Sequence, residues 1–135
     1  MTTDASPIRY SIDSEARIVT LLYAAHPTIE QWQAAMLAIF ADPRYRPGFA
    51  FLADRRAAST APDRAYIEGT IAFGEAHAAQ LKGARWATLV ATPASYGMAR
   101  MGQSRGEGGP VDLGAFTDLA AAMRWLAGEA AQETG

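Results

Sequence analysis

The constraint that does most to limit this chain is a repeated phrase. A short strand-like run of apolar residues is followed by a stretch with apolar positions at helical spacing, and the pair recurs almost to the end. One further strand-like run precedes the first phrase, giving the order ββαβαβαβα. Strands that alternate with helices specify an α/β layer domain, with parallel strands joined by helical crossovers. At 135 residues the chain is the size of one domain with a core of its own. The reading is therefore a single domain over residues 8–127, with a mixed five-stranded sheet and about four helices. Residues 1–7 are expected to form a disordered leader and residues 128–135 a frayed tail.

Local signals place the elements. Ile8, Tyr10 and Ile12 alternate with Arg9, Ser11 and Asp13, as a half-buried edge strand does. Asp13–Ala16 reads as a hairpin turn into Ile18–Tyr23, whose near-continuous apolar run predicts a central strand covered on both faces. Thr28 and Gln31 have capping-box spacing, and Ile29, Trp32, Met36, Ile39 and Phe40 form the stripe behind them. Asp42-Pro43 ends that helix.

Phe49–Ala53 is the third strand. The second helix is expected from Thr60, with Asp63 in capping position, and its stripe runs through Ile67, Ile71, Gly74, Ala78 and Leu81 to a stop at Gly83. Trp86–Ala91 is the fourth strand, and Thr92-Pro93 caps a third helix. That helix carries Tyr96, Met98, Arg100 and Met101 before giving way to the glycine-rich run Gly102–Gly109. Val111–Phe116 is the last strand. Leu119, Ala122, Met123 and Leu126 make the inward stripe of the final helix, with Trp125 on its flank.

Composition removes several function classes. The formal net charge is −2 and the pI about 5.6, without the basic field that nucleic acid or an anionic membrane requires. There is no cysteine, hence no disulfide, thiolate metal site or thiol nucleophile. The first residues have neither a basic region nor an apolar run, and no stretch approaches the length of a bilayer span. The expectation is a soluble cytoplasmic protein with no stable membrane insertion, no nucleic-acid partner and no cofactor.

In an open α/β sheet, ligands gather beyond the carboxyl ends of the parallel strands. There the sequence supplies His26, Asp54, Arg55, Arg56, Ser59, Thr60, Thr92, Tyr96 and Arg100. A His26–Asp54 acid–base pair serving Ser59 or Thr60 is one arrangement, but no nucleophile elbow accompanies it, and no catalytic residue is assigned. The free N–H groups at the start of the second helix, with Arg55 and Arg56 nearby, suit an anion. Two adjacent loop arginines are more often solvated. Gly102–Gly109 lacks the Gly-Lys-Ser/Thr ending of a P-loop. His26 and His77 are far apart and Glu75 does not share a helix face with His77, so no metal site is assigned.

Tyr96-Gly97-Met98-Ala99-Arg100-Met101, Val111 through Phe116-Thr117-Asp118, and Met123-Arg124-Trp125-Leu126 together resemble the bacterial STAS-like proteins of unknown function. The element order resembles the STAS fold of anti-sigma-factor antagonists (SpoIIAA-like), a small sheet with helices largely on one side. In those antagonists a serine at the start of the second helix is phosphorylated. The matching segment here is Asp54–Thr60, so the resemblance implies Ser59 as a phospho-site, although the family's Asp-Ser-Ser-Gly-like string is missing. A related branch resembles lipid-binding CRAL-TRIO domains and implies an apolar ligand lined by Tyr66, Phe73, Tyr96 and Met98. The resemblance thus implies a non-enzymatic protein-interaction or ligand-sensing regulatory module, whose partner is another protein or a second copy as a homodimer. The alternative is a small-molecule or lipid carrier with a pocket between the sheet edge and the second and third helices.

Overall fold

The computed structural model describes residues 6–128; residues 1–5 of the expected leader and 129–135 of the expected tail lie outside them. The strands are β1 (Ile8–Asp13), β2 (Ile18–Tyr23), β3 (Ala50–Asp54), β4 (Arg85–Leu89) and β5 (Asp112–Phe116). They stand in the sheet in chain order, β1 antiparallel to β2 and the rest parallel. The entry turn is held by Asp13, whose carboxylate accepts from the backbone N–H groups of Glu15 and Ala16 at 3.1 and 3.0 Å.

The helices are α1 (Ile29–Ala41), α2 (Arg64–Ala76), the short α3 (Ala78–Leu81), α4 (Pro93–Arg105) and α5 (Leu119–Leu126). Crossovers between neighbouring parallel strands are right-handed, so α1, α2 and α4 share one face of the sheet. Under them lies the larger core: Val19, Leu21 and Tyr23 of β2 and Phe51 and Ala53 of β3, against Trp32, Met36 and Ile39 of α1 and Phe73 of α2. Trp86 stacks on Phe51 with ring centroids 4.8 Å apart, and Trp32 meets Phe73 edge-on at 5.1 Å. Among the described residues the opposite face is covered by α5 alone, through Leu52, Ala87, Leu89, Ala122, Trp125 and Leu126.

Four expectations need correction. One short helix does not reach across β2, so Leu22 is 51% exposed and the strand is covered on one face, not two. The second helix begins at Arg64, not Thr60, because Pro62 bars helical geometry at Ala61. Asp63 is itself the N-cap, accepting from Tyr66 N at 2.8 Å, and the continuous stripe to Leu81 is broken at His77 into α2 and α3. The third helix continues through Gly102 to Arg105, whose guanidinium pairs with Glu68 of α2. In α5 the inward stripe is Ala122, Trp125 and Leu126, while Leu119 and Met123 are exposed.

That last rotation has a local cause. Trp125 lies over Gly114 of β5, where a Cβ would sit 3.1 Å from the indole and 2.8 Å from the Phe116 ring. The absent side chain is the seat of the indole. Gly114→Ala is expected to destabilise the fold by about 1–3 kcal/mol through overpacking. Gly97→Ala, on an exposed turn of α4 with nothing within 4 Å, should stabilise by about 0.5–1 kcal/mol. Urea midpoints that move in the same direction would contradict this account of α5.

Candidate functional site

Alternate residues of a strand face the same side. On β3 the row Phe51, Ala53 points under the helices, and the next member in phase is Arg55. Its backbone N–H donates to the Leu89 carbonyl of β4 at 2.8 Å, which holds it in line with the strand. Arg55 is consequently 5% exposed, whereas Arg56, out of phase, is on the surface with Nη2 2.8 Å from Asp54 Oδ2. The two adjacent arginines are therefore not both solvated, as the sequence suggested.

No carboxylate among the described residues lies within ion-pair distance of Arg55. Its Nη2 is 2.9 Å from His26 Nδ1. A guanidinium only donates, so His26 accepts there and is neutral, with its proton on Nε2. The Tyr23 ring lies under the guanidinium, 4.8 Å from its carbon, and the His26 ring packs on Tyr66 at 4.7 Å. Arg55 Nε, the Tyr66 hydroxyl and the Ser95 hydroxyl are all buried without a hydrogen-bond partner. Burial pushes the Tyr23 phenol up to about 12, with Arg55 opposing the shift, and raises the Tyr66 phenol further.

Tyr23, Arg55, Tyr66 and Ser95 line a cavity of about 140 Å³ between the sheet and helices α2 and α4, with His26 behind Arg55 and outside the lining. The rest of the lining is mostly apolar, with Trp86 of β4 as floor, Ile67, Ile71 and Phe73 of α2 as one wall and Met98 and Ala99 of α4 as the other, interrupted by Thr70, Glu75, Thr88 and Gln103. Ser95 reaches it from the first turn of α4, whose cap Thr92 accepts from Ser95 N at 3.1 Å. A second hollow at the glycine-rich turn is lined by Glu107 and Asp112 and by no cation, which does not suit a phosphate.

The candidates named from the sequence thus divide. His26 and Arg55 come together; Asp54 goes to Arg56, and no His26–Asp54 contact forms. Ser59 and Thr60 are exposed in the loop before α2, so Ser59 does not stand at a helix start; the α2 N-terminus is capped by the Asp63 carboxylate. Thr92 is a cap. Tyr96 and Arg100 pair with each other at 3.4 Å and Arg100 is exposed. Of the expected lining, Tyr66, Phe73 and Met98 face the cavity and Tyr96 does not. Tyr23 and Ser95 were not singled out. Tyr23 was legible from the Val19, Leu21, Tyr23 alternation; Ser95 had only its place in the turn after Thr92-Pro93.

The His26 ring titrates below 6.5, through burial first and the Arg55 charge second, with Asp63 opposing. At pH values between its folded pKa and 6.5 the unfolded chain holds more protons, so stability is lost as pH falls through that window and is complete above it. His26→Gln should flatten this part of the pH dependence of the urea midpoint. In Arg55→Met, NMR titration of His26 should show its pKa move upward; an unchanged value would mean that the two side chains do not interact.

Compared by sequence, the chain matches no family profile and no curated protein. Compared by structure, it is similar to the crystal structure of an uncharacterised protein of the DUF3478 family, with a SpoIIAA-like fold, from Shewanella loihica PV-4. The likeness covers 93% of this chain and 98% of that one, with a TM-score of 0.60 and 17% sequence identity. The chain thus has the SpoIIAA-like fold expected from its element order.

Proposed function

We propose that this protein is a non-enzymatic, ligand-sensing regulatory module of SpoIIAA-like fold, in which a small apolar molecule occupies the cavity beneath α2 and α4. The observation that carries this reading is the cavity itself, mostly apolar in its lining, with the buried polar groups Arg55, Tyr66 and Ser95 among the residues that face it. Ligand sites have this composition, with a few placed polar groups fixing orientation. The absence of catalysis is supported by the pairing of the would-be catalytic groups: the accepting nitrogen of His26 faces Arg55, and Asp54 is held by Arg56. An output through contact with another protein, or with a second copy, fits a small domain of this fold and rests on analogy.

The volume favours sensing over lipid carriage. An apolar cavity of about 150 Å³ holds a benzene-sized body, and this one, at about 140 Å³, has room for one ring or a short chain. The wall between α2 and α4 is also held by side-chain pairing, Arg105 to Glu68, so a ligand that moves α4 would change an exposed surface.

The test is methyl NMR with benzene as a neutral apolar probe of one ring. Resonances of Ile67, Ile71 and Met98 should move on titration, and those of Leu37, exposed on α1, should not. Ala99→Trp, which fills the cavity from α4, should abolish the response while the protein stays folded. Benzene that moves no cavity methyl, or moves them equally in Ala99→Trp, would sink the ligand-sensing reading.

A further inference from the structure

Resting on the reading of this cavity as a ligand site, we infer that its ligand is an apolar monocarboxylate whose carboxylate group is received by Arg55. The buried guanidinium lacks a partner of opposite charge among the described residues. A charge removed from water is costly unless an opposite charge and hydrogen bonds accompany it. Arg55 has one hydrogen bond to a neutral imidazole, one aromatic face and the neutral hydroxyls of Tyr23 and Tyr66 beside it, none of them an opposite charge. Its Nε is buried and unpaired. No carboxylate of the described chain meets it, although two such groups are close in sequence: Asp54 is bound by Arg56, and Asp63 caps α2.

Two other buried groups of the lining are the right kind for an anion. The Tyr66 and Ser95 hydroxyls are buried without partners, and each can donate to a carboxylate oxygen. Ser95 itself is 2% exposed and sits in the first turn of α4, where the backbone dipole also favours negative charge. The guanidinium fork matches a planar carboxylate.

Charge selects carboxylate over phosphate. Among the described residues Arg55 is the one cation lining the cavity, and Glu75, the other charged residue there, is acidic. One positive charge neutralises a carboxylate but leaves a phosphate monoester, at about −1.5 to −2, with excess negative charge in a low-dielectric site. The mostly apolar remainder then sets the body of the ligand: one ring, or a chain of similar bulk.

The experiment is calorimetric titration at pH 7 with three probes sharing one ring: phenylacetate, its neutral isostere 2-phenylacetamide, and phenyl phosphate. Phenylacetate should bind about 10- to 100-fold more tightly than the amide, the range expected for a charge-assisted hydrogen-bonded pair. Arg55→Met should erase that preference and leave the weaker amide binding in place. The acid–amide comparison on the unmodified protein stands even where Arg55→Met fails to fold. Equal affinity for acid and amide would overturn the carboxylate assignment and leave the cavity as a neutral site. Tighter binding of phenyl phosphate would overturn it in favour of a phosphate ligand. If none of the three binds, the ligand-site reading falls with it.

Discussion

Two-residue alternation on β2, β3 and β4 decides which side chains the helices cover, and the rest of the architecture follows from it. The covered row is apolar through the middle of β2 and β3, at Val19 and Leu21 and at Phe51 and Ala53, and on β4 it runs from Trp86 to Thr88. The alternation then continues past the strand ends. Arg55, just beyond β3, keeps the phase of its strand as Tyr23, the last residue of β2, keeps that of its own, and Val90, whose N–H donates to the Phe116 carbonyl, does so beyond β4. The same rule that fills the core therefore carries a guanidinium and a phenol into the space below α2. No separate binding loop is needed.

This explains which parts of the molecule were legible in the sequence. The strands and the caps at Thr28 and Thr92 rest on local chemistry, and the structure has them where the residues put them. The start of α2 was local too, but two signals competed there; Pro62 and the stronger Asp63 cap outweighed Thr60. What could not be read locally was coverage. Leu22 and Met123 are as apolar as their buried neighbours, and only the length and rotation of α5 leave them at the surface. The fate of Arg55 lay between these cases. Its phase was written in Phe51, Ala53, Arg55, yet charge at a strand end reads first as solvation, as it does correctly for Arg56.

The two arginines also show how the site is kept electrostatically separate from the surface. The Arg56–Asp54 pair lies at a solvent boundary, where an ion pair contributes at most about 1 kcal/mol. It nonetheless engages the carboxylate nearest in sequence to Arg55. Asp63, the next acidic residue along, is engaged by the backbone of α2. With both nearby carboxylates held elsewhere, the buried guanidinium has His26 and the face of Tyr23 as its company. The neutral state of His26 belongs to the same arrangement, since protonation would set a second positive charge against a nitrogen that can only donate.

Helix α4 connects this arrangement to the rest of the cavity. Its first turn supplies Ser95 beside the ends of the strands, its middle supplies Met98 and Ala99 along the cavity, and its last residue, Arg105, bonds to Glu68 on the opposite wall. Had the helix stopped at Gly102, the wall facing α2 would end before that ion pair and the cavity would lose its closure. Carrying the helix through a glycine costs about 1 kcal/mol relative to alanine. A Cβ at Gly102 would meet Ile67 at 3.5 Å, ordinary van der Waals contact, so α2 and α4 approach each other there closely enough for side chains on one to touch the other.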